Sequence, residues 1–198
     1  MSAHPWALFC LVTILSSPAF AGDTHVAVLL RTAEPVPAVL LDEIKSELGS
    51  LMEPSGYQLH WRGAEPTAQS FEGGLIVLEI RGSCDRKSAS LRRPGVVQLG
   101  SSAVADGKVL PFSWADCGAV SLFLEPWLTH MQKQQRRVVM GKAMARVIAH
   151  EFYHVLGRTL IHTRSGLSKS RLEPNDLLRE DDEVQVRLVP FLQAAAFQ

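Results

Sequence analysis

The sequence predicts one α+β domain with a mixed β-sheet, preceded by a removable leader. Short apolar runs of strand type in the first part of the chain, interrupted by one helical repeat, are the first observation. The second is a long helical stretch that follows them. A chain of 198 residues has the length of one domain and can bury a core without help from a metal or a disulfide.

The first part of the chain supplies the predicted strands and one helix. Apolar residues recur with a 3.6-residue period over residues 36–52, beside Pro35 and Pro37, which predicts an amphipathic helix. Residues 100–116 are loop-like and can hold a hairpin. Apolar or alternating segments predict strands at residues 23–31, 57–62, 75–80, 96–99 and 119–124.

The second part of the chain is predicted to be mainly helical. Pro126 opens a stretch without a strong helix breaker before Gly157, although Gly141 could kink this helix or divide it. A polar loop is expected at residues 162–171, followed by a short helix at 174–179 and an amphipathic segment at 183–192. Strands and one helix, further strands and then helices are typical of an α+β domain with a mixed sheet.

Residues 1–21 have the features of a secretory signal peptide. Their apolar run, residues 6–15, is shorter than the roughly 20 residues that span a bilayer. Ala19-Phe20-Ala21 has the small-x-small pattern of a cleavage site, so we expect cleavage after Ala21. Residues 22–198 would then form a single secreted or periplasmic domain. No second apolar stretch of spanning length follows, so no membrane attachment is expected after cleavage.

The charge balance argues against a nucleic-acid partner. Lys and Arg together number 20, and so do Asp and Glu, so the formal net charge is zero. A broad surface for phosphates requires an excess of Lys and Arg on one face. A hydrophobic content of 46% also excludes an intrinsically disordered chain.

Two cysteines remain once the leader is removed, Cys84 and Cys117. An even pair in an exported chain predicts one disulfide between them. Closing a loop of this length would contribute about 3 kcal/mol to stability through the entropy of the unfolded chain. Two free buried thiols are the alternative.

The residues that carry chemistry are concentrated in the segment 144–162, MARVIAHEFYHVLGRTLIH. It contains His150-Glu151-x-x-His154, and residues four apart lie on one helix face, so both imidazoles can reach one ion. Glu151 can then take a proton from zinc-bound water and pass it to a leaving group. The surrounding apolar residues predict a buried helix. Two ordinary histidines and a salt-bridged glutamate are the alternative.

With Gly157 the motif extends to H-E-x-x-H-x-x-G, and over residues 138–162 the chain resembles the zincin metallopeptidases, in particular the metzincins. The resemblance implies a zincin-like fold, with a mixed sheet before a long active-site helix. It also implies bound Zn²⁺, a peptide or protein substrate and catalysis by Glu151. Gly157 suits the C′ position of a turn that brings back a third ligand.

Two departures from the metzincin pattern bear on the third ligand. Leu160 stands where the third histidine is expected, and no methionine follows Met144 to form the turn beneath the metal. We therefore expect a divergent relative in which His150, His154 and the displaced His162 bind the metal. Glu173 and Asp176 are acidic alternatives, because thermolysin-like zincins use a glutamate on a second helix, and a site without a third protein ligand is a further alternative. Both also suit an ordinary helix start.

These features together predict a secreted zinc-dependent hydrolase that cleaves peptides. An extended substrate would pair with an edge strand, expected at residues 119–124. The alternatives are a non-catalytic secreted binding protein that keeps a zincin scaffold, and a structural zinc site with four protein ligands. Arg158, Thr159 and Arg164 flank the metal loop, where they either bind a substrate carboxylate or lie in solvent. Tyr153 is expected to pack.

Overall fold

A computed structural model of the chain describes residues 24–63, 74–84 and 97–179. The predicted leader and the amphipathic segment 183–192 lie outside the described residues, as does Val96. Within the described ranges, no helix combines the length and the apolar composition needed to cross a membrane.

A five-stranded mixed sheet forms one layer of the structure, as predicted. Its strand order is β2-β1-β3-β5-β4. The pairs β1–β2, β1–β3 and β3–β5 are parallel, whereas β4 runs antiparallel to β5 and lies at one edge. The strands are β1 (Thr24–Thr32), β2 (Tyr57–Arg62), β3 (Leu75–Arg81), β4 (Gly100–Ala105) and β5 (Lys108–Asp116).

The helices form the second layer. The 15-residue α1 buries Leu40, Ile44, Leu48 and Met52, which recur at helical spacing. It packs extensively against α4, and α4 also contacts β4 and β5. The α+β class is therefore confirmed, while the zincin-like assignment stays a prediction. The helices are α1 (Ala38–Met52), α2 (Cys117–Phe123), α3 (Glu125–Leu128), α4 (Lys133–Leu156) and α5 (Pro174–Leu178).

The edge strand β4 arises from a tight hairpin. Asp106 and Gly107 connect β4 to β5 with φ angles of 51° and 72°. Positive φ at both central residues is the geometry of a type I′ turn, which matches the right-handed twist of the strands it joins. The hairpin expected within residues 100–116 is confirmed, and its strands fill the whole segment.

Two of the predicted strands are wrong. Residues 119–124 lie largely in α2, which begins after Asp116 because that carboxylate accepts a hydrogen bond of 2.8 Å from the amide of Ala119. A short apolar run fits a buried helix as well as a strand, so the cap decides between them. Residues 97–99 are not in a strand, although the Leu99 carbonyl accepts a hydrogen bond of 2.8 Å from the Asp116 amide.

The predicted disulfide between Cys84 and Cys117 is confirmed. Cys84 follows β3 and Cys117 is the first residue of α2, so the bond fixes the start of that helix beside the sheet. Cys117 is fully buried within the hydrophobic core.

Gly141 does not divide the long helix, because α4 runs without a break from Lys133 to Leu156. The predicted helix is divided earlier, after α3, where the Thr129 hydroxyl donates to the Glu125 carbonyl at 2.7 Å. Gly141 instead lies where α1 and α4 cross. A Cβ atom at this position would be 2.5 Å from Cβ of Glu43.

An ion pair joins α1 to α4 near this crossing. The Arg146 guanidinium donates to the Glu47 carboxylate from both Nε and Nη2 at 3.0 Å. The Arg146 side chain is only 5% exposed, so a substitution of Glu47 would leave a buried charge without its partner. Tight contact and paired charge together fix α4 on α1.

We predict that Gly141→Ala lowers the free energy of unfolding by about 1–3 kcal/mol, because the new methyl group forces the two helices apart. Gly49→Ala is the matched control, since Gly49 is also helical and a Cβ there would meet nothing within 4 Å. The control should stabilise the protein by up to about 1 kcal/mol through helix propensity. Urea unfolding followed by circular dichroism measures both, and equal stabilisation by the two substitutions would contradict the close crossing.

Candidate metal centre

The C-terminal end of α4 and the loop after it bring three imidazoles together. His150 and His154 lie one turn apart on α4, and their Nε2 atoms are 3.2 Å apart. The Nε2 atom of His162 lies 3.2 Å from that of His154. Nitrogen ligands about 2.0–2.1 Å from a tetrahedral zinc are separated by about 3.3–3.4 Å. The spacing of the three histidines therefore fits a metal ion.

The other ring nitrogens determine which atoms face this point. Nδ1 of His150 lies 2.6 Å from the Leu167 carbonyl oxygen, and Nδ1 of His154 lies 2.8 Å from that of Thr159. A carbonyl only accepts, so each Nδ1 carries the proton and each Nε2 presents a lone pair in the neutral ring. Two such lone pairs cannot hydrogen-bond to each other, but both can bind a cation.

Burial favours the neutral form of both helical histidines. It lowers the pKa of His150 to about 4, which outweighs the opposing hydrogen bond to Leu167. Burial likewise lowers the pKa of His154, against its hydrogen bond to Thr159. Both rings are therefore neutral near pH 7, which is the state that binds a metal.

A sharp turn after α4 returns the chain to the metal site. Gly157 ends the helix with a φ of −76°, so it is not the left-handed residue that the sequence suggested. Arg158 takes the left-handed conformation instead, with a φ of 46°. Glycine is required at 157 for space, because a Cβ there would be 2.8 Å from the Tyr153 carbonyl oxygen. The Thr159 amide then donates to the His154 carbonyl at 3.1 Å.

Tyr153 fixes the part of this loop that carries His162. Its ring is buried, as expected of a packing residue, and its hydroxyl donates to the Ile161 carbonyl at 3.0 Å. The Ile161 amide in turn donates to the Thr159 hydroxyl at 3.1 Å. These contacts hold His162, which is itself exposed, next to two histidines anchored on a rigid helix.

The acidic alternatives for a third ligand lie at the start of α5 and do not join the histidine cluster. The Glu173 amide donates to the Asp176 carboxylate at 2.6 Å at the start of α5. The same carboxylate oxygen pairs with Lys169 at 2.7 Å. We compared the histidine, cysteine and acidic side chains of the described residues. His150, His154 and His162 are the ones that cluster closely enough to bind one ion.

The sequence did not indicate that Leu167, in the loop before α5, contacts His150. Leu167 is 1% exposed, and its carbonyl is the partner of His150. Gly166, with a φ of 76°, makes the turn that precedes it. The Ser165-Gly166 pair is an ordinary turn signal, but nothing in the sequence indicates that this turn contacts His150.

Glu151 lies beside the histidines without joining them. Its side chain is 6% exposed, and the Ser102 hydroxyl on β4 lies 2.8 Å from its Oε2. Burial raises the pKa of Glu151 to about 7, and the hydrogen bond from Ser102 opposes that rise. Gly100 permits this close approach of β4 to α4, because a Cβ there would be 3.1 Å from Oε1 of Glu151. The sequence analysis did not identify either β4 residue.

The histidines and Glu151 open into a cleft of about 900 Å³. That volume is at the upper end for small-ligand sites, and an extended peptide could also enter it. One wall is β4, and another is formed by the metal loop and residues 170–172. The apolar side chains that line the cleft belong to Val97, Leu99, Val104, Phe123, Val147, Leu160 and Leu172.

Three comparisons with known proteins gave no match. No protein-family model, no curated protein and no solved structure is significantly similar to this chain. Its geometry is therefore the basis of the functional argument.

We predict that the purified protein binds one Zn²⁺ per chain and that His162→Ala weakens this binding more than about 100-fold. The reason is that the loss of an outer hydrogen-bond partner alone typically costs 10–100-fold in affinity, and here a ligand is lost. Competition with a chromogenic chelator measures the affinity. His130→Ala is the control, because His130 is exposed and lies in the turn between α3 and α4. Equal affinities for wild type and His162→Ala would exclude His162 as a ligand.

Proposed function

We propose that the protein is an exported zinc-dependent peptidase in which Glu151 is the catalytic base. The observation that carries this proposal is the convergence of three imidazole Nε2 atoms, separated by 3.2 Å along the cluster, in one cleft with a buried carboxylate. The candidate ligand atoms are all imidazole nitrogens, a donor set that suits zinc.

Three protein ligands fit a catalytic site better than a structural one. Structural zinc sites are usually closed by four protein ligands, whereas catalytic sites keep one position open. In the described part of the chain no fourth histidine, cysteine or acidic side chain joins the cluster. Bound zinc would act as a Lewis acid on water and on a substrate carbonyl.

Glu151 is held where it can move protons rather than bind the metal. The Ser102 hydroxyl donates to its carboxylate and fixes its orientation. Glu151 would accept a proton from the attacking water and then deliver it to the leaving amine. Both transfers would occur within the cleft, which Glu151 lines together with the three histidines.

The substrate would lie along β4. This strand lies at one edge of the sheet and lines the cleft with residues 100–102 and Val104. An edge strand offers unpaired main-chain groups, to which an extended peptide adds as a further strand. The substrate-binding strand expected at residues 119–124 is thus replaced by the strand that also carries Ser102.

Export is supported by two independent features. The leader at residues 1–21 ends in the cleavage pattern Ala19-Phe20-Ala21. The Cys84–Cys117 disulfide is of a kind that persists in oxidising compartments.

We predict that Glu151→Gln removes nearly all hydrolysis of an unfolded protein substrate, by about 10²–10⁴-fold, because only the proton acceptor is lost. Zinc content should remain one per chain, since the Glu151 carboxylate is not part of the histidine cluster. Release of labelled fragments and elemental analysis measure the two quantities. Treatment of the wild type with a chelator is the control and should abolish hydrolysis. Full activity in Glu151→Gln would refute the proposed mechanism, and loss of zinc would make Glu151 a ligand.

We predict that Ser102→Ala lowers kcat about tenfold while KM and zinc affinity stay near the wild-type values. The substitution frees the Glu151 carboxylate from the hydroxyl that orients it, and a misplaced base slows the proton transfer. Ser102→Thr keeps a hydroxyl and should retain most of the activity. Steady-state kinetics of the two variants measure the effect. An equal loss in both would indicate a disturbed strand rather than a lost hydrogen bond.

A further inference from the structure

The cleft contains one cationic side chain that the proposed mechanism does not use, Arg171. The titratable residues among the described residues that line the cleft are the three histidines, Glu151 and Arg171. We propose that Arg171 binds a carboxylate of the substrate, and that the enzyme therefore prefers peptides carrying a carboxylate close to the scissile bond. This inference rests on the proposed function, since it takes the cleft as the substrate site.

The surroundings of Arg171 leave its guanidinium available. Lys169, two residues earlier, forms an ion pair with Asp176 at 2.7 Å, so its charge is balanced by a carboxylate. In residues 24–63, 74–84 and 97–179, by contrast, Arg171 has neither an ion pair nor a hydrogen bond. Glu151 is the acidic residue in the described cleft lining, and it is occupied by Ser102. A carboxylate that enters the cleft would thus meet a free cation.

The position of Arg171 relative to the histidines determines how far the bound carboxylate can lie from the scissile bond. Its chain segment begins at Leu167, whose carbonyl lies 2.6 Å from Nδ1 of His150. Four residues of extended chain span at most roughly 14 Å. The backbone of Arg171 therefore lies within the reach of a few substrate residues from the histidine cluster, and Arg171 lines the same cleft. Arg158 and Arg164, which the sequence suggested for this role, do not line the cleft.

The rest of the lining defines what accompanies the carboxylate. Leu172 follows Arg171 directly, and Leu99, Phe123 and Val147 add further apolar surface to the cleft. Apolar walls with a single guanidinium favour an apolar residue next to a carboxylate, since Arg binds carboxylates through two parallel N–H···O bonds. The carboxylate can come from the C-terminus of a peptide or from an acidic side chain.

The test uses three fluorophore-labelled apolar peptides of the same length. One ends in a free carboxylate, one in an amide, and one in an amide with a glutamate at the penultimate position. Binding is measured by fluorescence anisotropy on zinc-loaded Glu151→Gln protein, which keeps the cleft but should not cleave. Cleavage of the same peptides is measured on the wild type.

We expect the free-acid peptide to bind about tenfold more tightly than the amide. This factor is at the low end of the range for hydrogen bonds to charged groups, because Arg171 is exposed to water. Arg171→Gln in the same background should abolish this preference, and kcat/KM should follow the same pattern. Arg164→Gln is the control, because it removes an exposed arginine outside the cleft lining. A glutamate peptide that binds as tightly as the free acid identifies an acidic side chain as the source of the carboxylate.

Equal binding of the acid and amide peptides, or a preference that survives Arg171→Gln, would overturn the assignment of Arg171. Failure to detect binding of any peptide would overturn it as well. A different result distinguishes the carboxylate site from the proposed function. The wild type could cleave none of the peptides while the binding preference is present and depends on Arg171. In that case the peptidase proposal fails and the carboxylate site stands.

Discussion

The Nε2 lone pairs of His150 and His154 face each other at 3.2 Å and repel unless a cation lies between them, and the C-terminal part of the described fold holds both rings and His162 in that arrangement. The hydrogen bonds from Nδ1 of His150 and His154 to the carbonyls of Leu167 and Thr159 orient the rings. The Tyr153 hydroxyl fixes the loop before His162 through the carbonyl of Ile161. Each of these partners is a backbone carbonyl, so the arrangement depends on the path of the chain after α4. We therefore expect the affinity for a metal to depend on the positions of Gly157 and Arg158 as much as on the three histidines.

The second constraint is the close approach of β4 to α4. Gly100 leaves the space for this approach, and Ser102 uses it to contact the Glu151 carboxylate. The proposed base and the proposed peptide-binding edge are thus parts of one contact between a strand and a helix. A shift of β4 by one residue would move the Ser102 side chain to the other face of the sheet and lose the hydrogen bond. The Asp106-Gly107 turn sets the pairing of Val104 with Val109, and a register shift between Val104 and Ser102 then pairs Ser102 with Ser113.

The sequence predicted the parts of the site that depend on local periodicity and missed those that depend on distant contacts. The i, i+4 spacing of His150 and His154 is a property of any helix, so their shared face could be inferred directly. His162 could be proposed because it is the next imidazole after a helix-ending glycine. Ser102 and Leu167 approach the site only through tertiary packing, and no local pattern identifies them. The strand predicted at residues 119–124 failed for a related reason, because the capping hydrogen bond of Asp116 is the feature that distinguishes a short buried helix from a strand.

The described core is large enough for a domain to fold without a metal ion, and this bears on the proposed role of the site. The core formed by the sheet, α1 and α4 contains Val28, Ile44, Leu78 and Ile148, all fully buried, and the disulfide adds a covalent link. A small domain that needs zinc in order to fold is usually too short to bury such a core. Here the ion would join only two adjacent parts of the chain, the end of α4 and the loop that follows it. The proposed site would therefore stabilise little of the chain, and it combines three protein ligands with a wide cleft. These properties suit chemistry on a bound substrate better than a role in holding the protein together.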